Sequence, residues 1–312
     1  MTKIMIAGIG GVGGYFGGIL AETYENSEDV AIYFLARGEH LSVIQEKGLT
    51  VRKREVEKQA RPRRATDDPG ELGKMDFIVL CVKGYDLEMV LQQLKRCIDK
   101  ETVLIPLLNG VDGVERIQNS FPENRVAEGC TYIVSRLIAP GIIENRGESE
   151  KIFFGMENHA AEKPLVLLED ILKKAGIDAV FSKNIRTVVW EKFIFIAAVA
   201  TSTSFYDNTV GEIFENPEKA EKTKQLVEEI AGLAAAKGIE MHAEIVEKSV
   251  EKMKKLSYET TSSMHSDFIS GKQHTELESL TGYIIREAEN QGIQVPVFKQ
   301  MYGSLKNRST KG

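Results

Sequence analysis

Six residues near the start of the chain, Gly8-Ile9-Gly10-Gly11-Val12-Gly13, carry a Gly-x-Gly-x-x-Gly spacing directly after the apolar run Lys3 to Ala7. Strand, glycine turn and helix in that order build a pyrophosphate site. Gly8 permits the tight turn, Gly10 lets backbone approach a phosphate without an intervening side chain, and Gly13 lets the next helix pack closely on the strand. The helix start adds unpaired N–H groups and the positive end of a dipole. About two dozen residues on, the apolar run Val30 to Leu35 ends at Ala36-Arg37-Gly38. A fold that prefers NAD usually carries Asp or Glu there, to accept from the ribose 2′-hydroxyl. The permanently charged, planar fork of Arg37 instead suits a 2′-phosphate, which predicts NADPH. The plainer alternative is an exposed arginine at a strand end.

A second set of chemical groups lies in the latter half. Trp190-Glu191-Lys192 opens onto eight consecutive apolar residues, Phe193 to Ala200. A helix apolar on every side is buried, so the Lys192 ammonium must reach a polar cleft or lose charge to desolvation. That tension suits a proton donor; the alternative is a lysine snorkelling from a helix end. Thr275-x-x-Glu278 ahead of an apolar stripe reads as a capping box, which predicts a helix starting at Thr275 with Glu276 in its first turn. An acid there also favours the macrodipole whatever its function. His265 and His274 show no metal-ligand spacing and are read as satisfied or solvated, and no metal site is expected. No Ser/His/Asp or Cys/His set for covalent catalysis is apparent.

The elements needed to position these groups are legible as patterns. Strand and helix signals alternate through the first half, predicting an α/β fold with a parallel sheet covered on both faces. Strands are expected at Phe77–Val82 and Val103–Leu108, with helices near Glu39–Lys47 and Asp86–Arg96. Lys83 and Asn109 follow those two strands, at carboxyl ends where ligands of open α/β sheets bind. Shorter strands near Val126–Val134, Ile142–Glu144 and Ile152–Gly155, a helix over Lys163–Ala175 and a strand at Ala179–Ser182 complete the first domain, residues 1–182. Residues 183–312 read as all-helical, with segments at Lys219–Lys237 and Leu277–Glu289.

The chain has 312 residues, enough for two cores, and is 42% hydrophobic and 28% charged, an ordinary balance for a soluble protein. A net charge of −6 gives no reason to bind nucleic acid or an anionic membrane. The basic stretch Arg52 to Arg64 lacks interleaved aromatic residues and reads as a solvated hairpin arm. Three scattered cysteines, Cys81, Cys97 and Cys130, suit neither a disulfide framework nor zinc. No leader and no apolar run of membrane-spanning length is seen, so a reducing cytoplasm is expected.

The glycine turn, Cys81-Val82-Lys83, Leu108-Asn109-Gly110-Val111, Asn184-Ile185-Arg186 leading to Trp190-Glu191-Lys192, Ser262-Ser263-Met264 and Thr275-Glu276 occur in the order found in the ketopantoate reductase family. The likeness spans nearly the whole chain. It implies an N-terminal Rossmann-type dinucleotide-binding domain followed by a helical domain, an active site in the cleft between them, and NADPH-dependent reduction of 2-dehydropantoate to pantoate on the route to coenzyme A. By that resemblance Lys192 donates the proton and Glu276 hydrogen-bonds the substrate. Asn109 and Ser263 are substrate and cofactor contacts, and Lys83 lies near the cofactor. The family commonly has asparagines four and eight residues after the lysine, where this chain has Ile196 and Ala200. The interval from Ser263 to Glu276 is one residue longer than in the commonest form, which leaves Ser262 and Ser263 both open as the substrate serine. Another small 2-keto acid or an imine as substrate, or a non-catalytic NADPH sensor, remain the alternatives, and a homodimer is compatible with the sequence.

Overall fold

The computed structural model describes residues 1–157 and 162–309; residues 310–312 of the expected second domain lie outside the described residues. The chain divides into two compact units. The first comprises 1–108 and 113–185, and the second comprises 109–112 and 186–312.

In the first unit the chain runs β1 (Thr2–Ala7), α1 (Gly11–Thr23), β2 (Val30–Leu35), α2 (Gly38–Lys47), β3 (Leu49–Lys53), β4 (Val56–Ala60), β5 (Arg64–Thr66), β6 (Phe77–Leu80), α3 (Leu87–Leu94), β7 (Val103–Pro106), α4 (Gly113–Ser120) and β8 (Arg125–Val126). A six-stranded sheet takes the order β5-β2-β1-β6-β7-β8, with every pairing parallel. Its middle strands are buried on both faces, which is why they read as unbroken apolar runs. Alternation still sorts their side chains. Ile4 and Ile6 join Phe16 and Leu20 of α1 on one face, whereas Met5 and Ala7 join Leu87, Leu91 and Leu94 of α3 on the other. Strand order reverses at β1, between β2 and β6, so the glycine turn and Lys83 leave neighbouring strand ends at the switch point.

Two smaller sheets complete this unit. β9 (Glu128–Tyr132), β10 (Ser135–Ala139), β11 (Ile142–Asn145), β12 (Lys151–Gly155), α5 (Glu162–Lys174) and β13 (Asp178–Phe181) follow in sequence, and the added sheets have orders β10-β11-β3-β4 and β13-β12-β9. The basic arm is the β3–β4 hairpin; its turn residue Arg54 takes φ +53°, and Arg52 pairs with Glu57 at 2.6 Å. The single strand expected over Val126–Val134 is instead β8 and β9, which belong to different sheets.

The second unit is helical: α6 (Ile185–Tyr206, reaching back one residue into the first), α7 (Val210–Glu215), α8 (Pro217–Ala236), α9 (Ile245–Lys254), α10 (Ser263–Ile269), α11 (Tyr283–Asn290) and α12 (Pro296–Ser309). Contrary to the sequence expectation, α6 is long and apolar enough to cross a bilayer by length and composition. However, 67% of its apolar window is buried inside the protein, as befits a core helix. Trp190 and Phe193 meet edge to face at 5.6 Å, and Tyr283 stands 5.9 Å from Phe193, fixing the register of α6 against α11.

The capping box expected at Thr275 and Glu278 does not form. Thr275 Oγ1 accepts from the Leu277 N–H at 3.4 Å, and the Glu278 carboxylate is drawn away to the Tyr302 hydroxyl and the Arg286 guanidinium. The segment Glu278–Gly282 is a π-helical turn that leads into α11. A complete capping box exists elsewhere, with Thr209 and Glu212 at the start of α7.

Candidate active site

In the first unit, Gly8 adopts φ +95°, and a Cβ there would stand 2.7 Å from Val82 Cγ1. A side chain is therefore excluded by both conformation and space. A Cβ at Gly13 would run into the Gly8 carbonyl, so α1 can lie against the turn only without one. Around Gly10, by contrast, nothing comes within 4 Å of where a Cβ would be. No side chain caps α1 at Gly10 and no acid occupies its first turn, leaving its positive end to an outside anion. The turn would fit a dinucleotide phosphate; Ile9 lies within it, and Gly11 and Val12 open α1.

His40 braces this turn, a role the sequence did not signal. Its Nδ1 accepts the Gly141 N–H at 2.8 Å, so the ring proton sits on Nε2 and is donated to the Ile9 carbonyl at 2.7 Å. Burial pushes the imidazole below its ordinary pKa, with the Ile9 bond opposing that shift. Arg37 stands between β2 and α2 with its side chain 73% exposed, and its guanidinium is 3.1 Å from Asp86 Oδ2. Lys83 is half-buried where the chain leaves β6, at the cap of a short 3-10 turn, Gly84–Asp86.

The second unit brings together three residues distant in sequence. Lys192 Nζ lies 3.3 Å from Asn109 Oδ1, and Asn109 Nδ2 lies 3.5 Å from Glu276 Oε2. The amide thus accepts from the ammonium and donates weakly toward the carboxylate, one row of three side chains. Glu276 is only 2% exposed. Asn109 reaches this row because residues 109–112, which follow β7 after Leu107 and Leu108, pack with the helical unit; Gly110, at φ +102°, turns past the Ser279 carbonyl. The π turn begins two residues after Glu276, where extra backbone re-aims the chain, a feature frequent at functional sites.

Ser262 and Ser263 have separate environments. Ser262 caps α10, accepting the His265 N–H at 3.0 Å and sharing a 2.9 Å bond with Thr203. Ser263 is exposed at the first helical position. Thr261, the buried His265 and Asp207 form a row that the sequence did not foresee. The ring's Nε2 is 2.7 Å from Asp207 Oδ1 and its Nδ1 bonds the Thr261 hydroxyl. This satisfied histidine ties the end of α6 to α10. Among the described residues, no group of three His, Cys, Asp or Glu side chains gathers as a metal site.

Residues 4–159 match the model of the ketopantoate reductase PanE/ApbA family, and residues 184–309 match its C-terminal counterpart. The chain belongs to the ketopantoate reductase family. It is an oxidoreductase on a Rossmann-type fold with a helical C-terminal domain. An uncharacterized oxidoreductase of Bacillus subtilis is 29% identical over 303 residues, covering 97% of both chains. A 2-dehydropantoate 2-reductase from Porphyromonas gingivalis superposes with TM-score 0.85 at 33% identity, covering 97% of this chain and 99% of its own. A D-mandelate dehydrogenase solved with NADH and anilino(oxo)acetate also superposes at 0.85, with 25% identity and 99% of both chains covered. Ketopantoate reductases thus have relatives that act on other acids.

Proposed function

We propose that this chain uses NADPH to reduce a small 2-keto acid to the 2-hydroxy acid. The family's own substrate, 2-dehydropantoate, is the first to test, with pantoate for coenzyme A synthesis as the product and a reducing cytoplasm as the setting. The observation that carries this reading is the Lys192–Asn109–Glu276 row. When bound, the dinucleotide supplies hydride to the carbonyl carbon.

The chain's own residues supply the rest. Negative charge develops on the carbonyl oxygen as the carbon is reduced, and a positioned ammonium both stabilises that charge and delivers the proton. Asn109 helps to fix the direction of the Lys192 ammonium by accepting one of its protons at 3.3 Å. Glu276 offsets the cation's charge at the far end of the amide and can accept from a polar group of the acid. Arg37 supports NADPH over NADH, its fork releasing Asp86 to hold a 2′-phosphate. The relative solved with anilino(oxo)acetate supports an oxo acid as the ligand class.

Lys192→Ala is expected to lower kcat by roughly two to four orders of magnitude, as for the loss of a proton donor, while NADPH binding followed by fluorescence stays nearly unchanged. Undiminished turnover would remove Lys192 from the mechanism.

A further inference from the structure

We propose that His40 is a positioning residue for the dinucleotide: by holding the Ile9 carbonyl, it turns the Ile9–Gly10 peptide so that the Gly10 N–H is presented to the pyrophosphate. This deepens the dinucleotide-dependent reductase reading and rests on it. The peptide is planar and trans, so its C=O and N–H point in opposite directions. Fixing one therefore aims the other. The imidazole receives the Gly141 N–H on Nδ1 at 2.8 Å and donates from Nε2 to the Ile9 carbonyl at 2.7 Å. Gly141 is itself anchored, its carbonyl accepting the Thr50 N–H of β3 at 2.8 Å.

The turn needs such a hold. Gly8 and Gly10 flank Ile9, and a glycine on either side leaves a peptide plane free to rotate at little steric cost. Two neighbouring backbone groups are already engaged: the Gly8 N–H donates to the Leu35 carbonyl at 3.0 Å, and the Gly10 carbonyl accepts the Gly14 N–H at 2.7 Å. The Ile9 side chain is buried in the core of the first unit. The Gly10 N–H, on a half-buried residue, has no acceptor among the described residues. A donor in that state, one residue before α1 and beside open space, is suited to an anionic oxygen. If the Ile9 carbonyl were released, the plane could turn and set a carbonyl oxygen toward the phosphate in place of an N–H. His40 prevents that exchange, and does so for either cofactor, because the pyrophosphate is common to NADPH and NADH.

The test measures cofactor binding and one amide signal in the full chain. In His40→Leu, which neither donates nor accepts in the ring's place, the Kd values of NADPH and NADH, followed by nicotinamide fluorescence, are expected to rise together by roughly tenfold. His40→Gln, whose amide can donate to Ile9 and accept from Gly141, is expected to recover most of that loss. In protein labelled selectively at glycine nitrogen, the Gly10 amide proton is expected to move downfield when NADPH saturates the wild type and His40→Gln, and to move much less in saturated His40→Leu. Unchanged affinity in folded His40→Leu, a loss confined to one cofactor, or equal losses in the two variants would overturn the proposal while leaving the dinucleotide reading intact. So would a Gly10 signal that stays put in the wild type or shifts alike in all three proteins. Should the Leu variant fail to fold, His40→Asn, too short to span both partners, takes its place with the same expected outcome. Wild-type protein that binds neither NADPH nor NADH would end the dinucleotide reading and this proposal with it.

Discussion

Asn109 is an amide set between a cation and an anion, with a carbonyl oxygen to accept from one and an NH2 group to donate toward the other. Its residue type and its place after a strand end were visible in the sequence, as were Lys192 and Glu276. The row itself was not, because its members are separated by 83 and 167 positions and meet only through packing. Arg37 shows a different gap. Its charge is explicit in the sequence, but its 3.1 Å pairing with Asp86 across 49 residues is not. An exposed pair of this kind contributes little to stability, so Arg37 can be judged by ligand binding. Arg37→Ala should weaken NADPH by about 1–3 kcal/mol, the worth of a charge-assisted contact, and leave NADH almost unaffected in parallel titrations. Equal losses for both cofactors would dismiss a phosphate role for the guanidinium.

At the scale of elements, what periodicity and glycine spacing could specify was legible: β1, the turn, α1 and the succession of parallel strands. The buried character of α6 also followed from its composition. Side-chain competition was not visible. Glu278 had the right spacing for a box with Thr275, yet Tyr302 and Arg286 offered it better partners, and a π turn replaced an ordinary helix start. His40 was passed over for a similar reason: nothing local to α2 indicates that its ring will join Ile9 to Gly141. That brace has a pH consequence. Burial holds the imidazole's pKa below the ordinary 6.5, so on acidification the unfolded chain takes up the proton before the folded one does. The stabilisation is therefore present above about pH 6.5 and lost as pH falls below it. Melting temperature should drop more steeply between about pH 7 and pH 5 in the wild type than in His40→Gln. Parallel slopes would show that the brace does not titrate.

Considered as a whole molecule, the chain has a net charge of −6 and two units with separate cores, so ligand linkage can be followed through thermal unfolding. A dinucleotide held by the native first unit and not by the unfolded chain adds about 2.7 kcal/mol at a hundredfold excess over its Kd. For a domain of this size that corresponds to roughly 2–4 °C per kcal/mol. Calorimetry with NADPH should accordingly show a transition raised by several degrees, and one that does not move would contradict the assignment of the glycine turn.

The four residues from Asn109 to Asp112 are encoded inside the sheet-bearing half yet fold with the helical one. A chimera joined near residue 185 would inherit its lysine and glutamate from one parent and its asparagine from the other. Recombination at that point splits the Lys192–Asn109–Glu276 row between parents, and a graft that is to keep the row must carry the loop along.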